Sequence, residues 1–156
     1  MNFSHIKDNK LNMVDVSQKR VSKREAIAQC NIIFSKSSLN KLLKNGSPKG
    51  EIFNTAKCAG IIATKKTSEL IPLCHNINLT FIGIDIIINK KENLIVINSI
   101  VKTDNRTGVE IEALTGCSVA ALTIFDMCKS IDKSIEIKNL KLVKKTGGKS
   151  GPYTND

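Results

Sequence analysis

The chain has no tryptophan and one tyrosine, and its five phenylalanines are scattered. Proteins that hold single-stranded nucleic acid stack bases on such rings, so that class of function starts without its main contact. Acid is scarce beside base: 14 Asp and Glu against 24 Lys and Arg give a formal net charge of +10. A surface of that sign attracts anions, whether duplex backbone, membrane headgroup or phosphorylated small molecule. No apolar run approaches the ~20 residues of a membrane span. The amino-terminal MNFSHIKDNK lacks the apolar stretch of a secretory signal. The cysteines number five, an odd count, and none forms a C-x-x-C pair. Free thiols in apolar stretches pack as small hydrophobes, so the expected setting is reducing: cytoplasm, or a reducing organelle interior.

What is present reads as one domain spanning residues 1–156, at 41% hydrophobic and 24% charged residues. Residues 1–12 are polar and expected to be loosely attached, and residues 144–156 form a basic, glycine-rich tail. Residues 24–34 alternate, with Ala26, Ala28, Cys30, Ile32 and Phe34 on one face, which predicts a half-buried strand. Residues 37–44 predict a short helix stopped near Asn45-Gly46, and SPKG (47–50) a turn. From 51 to about 69, Ile52, Ala56, Ala59 and Ala63 recur at helical spacing, and Pro72 follows. Ile82, Ile84, Ile86 and Ile88 alternate in a strand, residues 94–101 form another, and the polar 89–93 between them predicts a hairpin. A helix apolar nearly all round runs from Thr107-Gly108 to about 130. A last strand, 135–143, changes phase at Asn139. Strand, helices, strand, strand, helix, strand is the split βαβ order, predicting an α+β, ferredoxin-like fold: an antiparallel sheet with helices on one face.

Several short strings carry polar chemistry. KTGGKSG (145–151) resembles the end of a phosphate-binding loop, but Val143 stands where that motif needs glycine. What remains is a flexible backbone beside Lys145 and Lys149, able to meet a phosphate or simply to be a charged tail. His75, in LIPLCH (70–75), follows a helix end, and imidazole shares protons near neutral pH. A zinc site on Cys74 and His75 is poorly supported, because adjacent residues rarely ligate one ion together. Glu110 and Glu112 open the long helix, where the helix dipole favours acids and where they could equally serve acid–base chemistry. Asp126 and Lys129, three apart, share a helix face as a structural ion pair or a tuned site. Lys49 lies in a turn just before a helix, offering a cation beside helix amides.

Together these strings are similar to the MoaC family of cyclic pyranopterin monophosphate synthases. The resemblance rests on FSHI, MVDVS (13–17), KGE, AGI (59–61), LIPLCH, TGVEIEAL (107–114), SVAALTIFDMCK (118–129) and KTGGKSG. They follow the family's order and cover nearly the whole chain. The resemblance implies a phosphorus–oxygen lyase of molybdenum cofactor biosynthesis. It would convert 3′,8-cyclo-7,8-dihydro-GTP to cyclic pyranopterin monophosphate and release pyrophosphate, with no redox cofactor and no metal site implied. By motif, Asp126, Lys129 and Lys49 match catalytic residues, joined by His75 as a proton carrier. Leu73, Cys74, His75, Ile111 and Glu112 match substrate-binding segments. Glu110, Lys65 and Lys145 match residues that line or approach the pocket, and Asp15 lies in a matching motif. The resemblance also implies a homohexamer, a trimer of dimers with sites between subunits, and a phosphorylated small-molecule substrate rather than nucleic acid or membrane as partner.

The sequence departs from the family pattern at Asn76, where proline is common, and at Ser22 and Cys30 in the first strand region. One inference needs no family. Glu112 and Asp126 are 14 residues apart, so in one helix they lie about 21 Å apart and on nearly the same face. A small-molecule site using both would draw them from different chains. A basic nucleic-acid module on the same scaffold is the competing reading, with few rings to support it.

Overall fold

The computed structural model describes residues 6–7, 10–149 and 151–155. Most of the expected loose amino terminus lies outside the described residues, as does Ser150 in the tail. The elements in order are β1 (Ile6–Lys7), β2 (Lys10–Leu11), β3 (Ser22–Ile33), α1 (Lys36–Asn45), α2 (Phe53–Lys65), α3 (Thr67–Leu70), β4 (Phe81–Asn89), β5 (Leu94–Asn105), α4 (Glu110–Cys128), β6 (Glu136–Thr146) and β7 (Tyr153–Thr154).

Alternation in β3 organises the core. Ala26, Ala28, Cys30 and Ile32 are fully buried, and Phe34 beyond the strand is nearly so. β3 pairs antiparallel with β5 on one side, Ala28 opposite Ser99, and with β6 on the other. β5 in turn pairs with β4, Ile88 opposite Ile95, across the predicted hairpin. The five-stranded sheet has the order β4-β5-β3-β6-β7, every neighbour antiparallel. The phase change in β6 is real: Asn139 adopts a positive φ of 56°, and the β3–β6 register slips between Gln29 and Asn31 opposite it. Asparagine tolerates that left-handed conformation better than most residues.

The buried sheet face packs on α4, which also packs along α2. The two helices touch backbone to backbone. A Cβ on Gly116 would sit 2.2 Å from Thr64 Oγ1, and one on Gly60 would sit 2.9 Å from the Gly116 carbonyl. Thr64 returns its hydroxyl to the Gly60 carbonyl at 2.9 Å, whereas the buried Ser99 hydroxyl beside Gly116 has no hydrogen-bond partner among the described residues.

Three expectations change. The helix predicted over 51–69 is two pieces. Lys66 leaves helical geometry, and the buried Thr67 hydroxyl donates to the Thr64 carbonyl at 3.0 Å, restarting the chain as the single turn α3. The tail adds a strand, Lys144 and Lys145 pairing with Thr154 and Tyr153. Finally, α4 is 19 residues with a mean hydropathy of 1.5 in its most apolar window, long and apolar enough by composition to cross a bilayer. Its packing against β3, β5, β6 and α2 explains that composition: it is the core helix of the sheet.

Candidate functional site

The helix α4 carries predicted site residues at both ends, and each end is built differently.

At its amino-terminal end, Thr107 and Gly108 lead into the first turn. A Cβ on Gly108 would lie 2.0 Å from Glu110 Oε2, so a side chain there would displace the Glu110 carboxylate. Glu110 accepts from Lys145 of β6, with Nζ 3.1 Å from Oε1. The segment after α3 brings Leu73, Cys74 and His75 to the same end. With Glu110, Ile111, Glu112 and Val14 they surround a cavity of about 300 Å³, at the small end of the range for small-molecule sites. His75 Nε2 lies 2.8 Å from the Val14 carbonyl. A carbonyl only accepts, so Nε2 carries the hydrogen and Nδ1 is left to accept or take up a proton. Asp15, one residue on, accepts from the Ser17 N–H at 2.8 Å. That bond and the Ser17 hydroxyl hold its carboxyl below the usual range.

Glu112 is 4% exposed. Burial pushes its carboxyl up to about 7, and the nearby Glu110 charge adds to the rise against partial relief from a backbone N–H. Burial and then Glu112 push the Cys74 thiol up as well, so it stays protonated near neutrality. A second cavity of about 250 Å³ shares Lys19, Thr107, Gly108 and Glu110 with the first and extends along Arg24, Arg106, Lys145 and Lys149.

At the carboxyl-terminal end the chemistry is exposed and ionic. Asp126 holds two ammonium groups, Lys49 Nζ at 2.6 Å from Oδ2 and Lys129 Nζ at 2.8 Å from Oδ1. Lys129 first and Lys49 next hold the Asp126 carboxyl down at about 2, so it is ionised at any ordinary pH. Lys49 arrives on a turn closed by the Gly50 N–H to the Ser47 carbonyl at 3.1 Å. Gly50 there has a φ of 96°, which a side chain would oppose. Ser47 pins the turn to the helix end: its hydroxyl donates to the Met127 carbonyl at 2.8 Å and accepts from the Lys49 N–H at 3.0 Å. Two cations balanced by one carboxylate leave one positive charge in excess, an arrangement suited to a polyphosphate or a developing anion.

The structure therefore gathers Leu73, Cys74, His75, Glu110, Ile111, Glu112 and Lys145 at one end, and Lys49, Asp126 and Lys129 at the other. Lys65 is exposed on the last turn of α2 and lines neither cavity. Among the described residues no three His, Cys, Asp or Glu converge on one point; the positive charge of both clusters is lysine and arginine. Sequence reasoning missed Lys19, Arg24 and Arg106. Arg24 Nε donates to the Asn105 carbonyl at 2.9 Å and its Nη2 to the Arg106 carbonyl at 3.0 Å. Arg106 Nε donates to the Lys19 carbonyl at 3.0 Å, tying the segment that carries Val14 and Val16 to the start of α4. The adjacency of Arg106 to the TGVE string was the available signal.

The model of the MoaC family matches residues 13–148. A cyclic pyranopterin monophosphate synthase of Bordetella avium is 45% identical over 155 residues, 99% of this chain and 96% of that protein. Proteins of the same name from Bordetella pertussis and Bordetella bronchiseptica are each 44% identical over the same shares.

Proposed function

The chain belongs to the MoaC family, and from that premise we infer that it is a lyase of molybdenum cofactor biosynthesis. It converts 3′,8-cyclo-7,8-dihydro-GTP to cyclic pyranopterin monophosphate and releases pyrophosphate. The near full-length similarity to proteins named for that product carries the reading.

The residues have chemistry to match. Lys49 and Lys129 meet the triphosphate, and Asp126 keeps the two ammonium groups apart and aligned until it arrives. Opening and reclosing a purine-derived ring needs repeated proton transfers. His75, with Nδ1 free of the Val14 bond, together with Asp126 and Lys129 carries them. Glu110 and Glu112 accept the N–H donors of the guanine-like edge, Leu73, Cys74 and Ile111 wall it, and Lys145 holds Glu110 in place.

The site is completed between subunits of a homo-oligomer, which the family resemblance implies is a hexamer built as a trimer of dimers. The sharing of the site between chains also has geometric support. The two clusters lie at opposite ends of one 19-residue helix, too far apart for one small molecule to touch both in a single chain. Lys65 takes part only where assembly brings another chain to the end of α2. The fold is the ferredoxin-like split βαβ in one MoaC-like domain, supported by the order β4-β5-β3-β6. The five free thiols support a reducing compartment such as the cytoplasm.

The test is turnover of purified protein with 3′,8-cyclo-7,8-dihydro-GTP, following pyrophosphate and the fluorescent oxidation product of the pterin. Both products from the wild type, and neither from Lys49→Ala or Asp126→Ala, is the expected result. A folded protein that turns over no substrate overturns the reading. Light scattering during size exclusion tests the assembly, and a monomer alone removes the shared site.

A further inference from the structure

Two cysteines outside the site face each other in the core. Cys30, in the carboxyl-terminal half of β3, and Cys117, near the middle of α4, are both fully buried. Their sulfurs are 3.2 Å apart, with the Cys117 thiol donating to Cys30 Sγ. Cys117 Sγ is also 3.5 Å from the Ile97 carbonyl of β5, the residue opposite Cys30 in the sheet. Both thiols are free.

We propose that Cys30 and Cys117 are a site of reversible oxidation, closing to an intramolecular disulfide when the folded protein meets hydrogen peroxide. The geometry asks little: the sulfurs need to approach by about 1.2 Å to reach covalent distance. The hydrogen bond also sorts the two roles. Cys117 donates to Cys30 Sγ, and the Cys30 thiol in turn faces the Cys117 carbonyl at 3.8 Å; loss of the Cys30 proton on a brief opening leaves the Cys117 bond in place, so Cys30 is the sulfur that reacts first. The Cys30 thiolate attacks one peroxide oxygen. The O–O bond breaks, hydroxide leaves, and Cys30 becomes a sulfenic acid. The Cys117 sulfur then attacks Cys30 Sγ, the S–O bond breaks, and the Cys117 proton leaves with the hydroxyl as water. In sum two thiols and one peroxide give one disulfide and two waters, the sulfurs being oxidised and the peroxide reduced. A dithiol such as dithiothreitol reverses the bond by exchange.

Burial sets the selectivity. Peroxide is close to water in size and enters on brief openings of the core, whereas bulkier alkylating reagents reach exposed Cys58 first. A neighbouring thiol in contact takes the sulfenic acid before a second peroxide can, so the pair stops at the reversible rung. The bond would join the central strand to the midpoint of the helix whose two ends carry the site.

The test is peroxide treatment of the full-length native protein, then alkylation in denaturant and peptide mapping. The expected product is a Cys30–Cys117 cross-linked peptide, lost on treatment with dithiothreitol. It should form in native protein in at least ten-fold preference to other cysteine pairs, and lose that preference when peroxide is added in denaturant. Cys58→Ser should leave it unchanged. In Cys117→Ala, the Cys30 sulfenic acid should accumulate and be trapped by dimedone added with the denaturant. Oxidised wild type should melt about 5 °C or more above reduced wild type. Native oxidation that leaves both core thiols free, carries Cys30 to sulfinic acid, or pairs it with Cys58 or Cys74 overturns the proposal. Should Cys117→Ala fail to fold, the wild-type map decides alone.

Discussion

The two ends of α4 treat the same functional group in opposite ways. At the amino-terminal end Glu112 is buried beside another acid, and its carboxyl rises to about 7. At the carboxyl-terminal end Asp126 stands in solvent between two lysines, and its carboxyl falls to about 2. One end can hold or release a proton near neutral pH; the other rests as an ionised carboxylate between two ammonium groups. The lesson is that two carboxylates on one helix were given different tasks by what surrounds them, burial in one case and cations in the other. A reaction that must both move protons on a ring and handle a triphosphate needs both tasks.

The largest test of this contrast is to remove the charged end. Asp126→Asn or Lys49→Ala should lower kcat/KM by about 10²- to 10⁴-fold, measured by pyrophosphate release, because neither can be replaced by solvent. His75→Ala should fall as far from the other end. Mixing inactive His75→Ala with inactive Lys49→Ala, after dissociation and reassociation, should then restore about one quarter of wild-type activity. That is the random share of sites drawing an intact end from each chain, and a mixture that stays dead would place both ends in one chain. Next in size is stability. The raised carboxyl of Glu112 favours folding while it is protonated, and that advantage is lost as pH rises from about 4.5, its unfolded value, to about 7. Glu112→Gln should therefore match the wild type in denaturant titrations at pH 4 and exceed it at pH 8 by on the order of 3 kcal/mol. The smallest effect belongs to Asp126 in the same experiment. Its lowered carboxyl favours folding above pH 4 and loses that advantage only as pH falls toward 2. Being exposed, its ion pairs are screened, so Asp126→Asn should shift Tm at pH 7 by no more than about 2 °C while abolishing turnover.

Much of the frame was legible because alternation marks a strand. In β3 it coincides with burial at every second residue from Ala26 to Ile32; in β4 only Ile84 is buried and Ile88 is exposed, yet the pattern still announced the strand. Asn139 announced the break in β6 by shifting the phase. The end of α2 was not legible, because Lys66 and Thr67 are unremarkable helix residues until Thr67 is buried and bonds backward. β7 was hidden for a different reason: two residues of a polar tail gain a strand only from the partner they meet. In the site, the 14-residue spacing of Glu112 and Asp126 already separated the two ends. The joining of Lys49 to Asp126 spans 77 residues and depends on Ser47 gripping the helix end, which no local pattern encodes. Arg24 escaped notice for the same reason, since it works on backbone carbonyls 81 and 82 residues away.

The helix α4 also restricts how this sequence can change in length. Loops such as 89–93 can gain or lose a residue without moving a site. One residue inserted within Glu110–Cys128 would rotate Asp126 by about 100° relative to Glu112 and lengthen the rod by about 1.5 Å. Two whole turns would restore the angle but add about 10 Å. No small insertion or deletion satisfies both, so viable descendants of this chain will differ freely in their loops and tails while the count of residues between those two carboxylates stays at its present value.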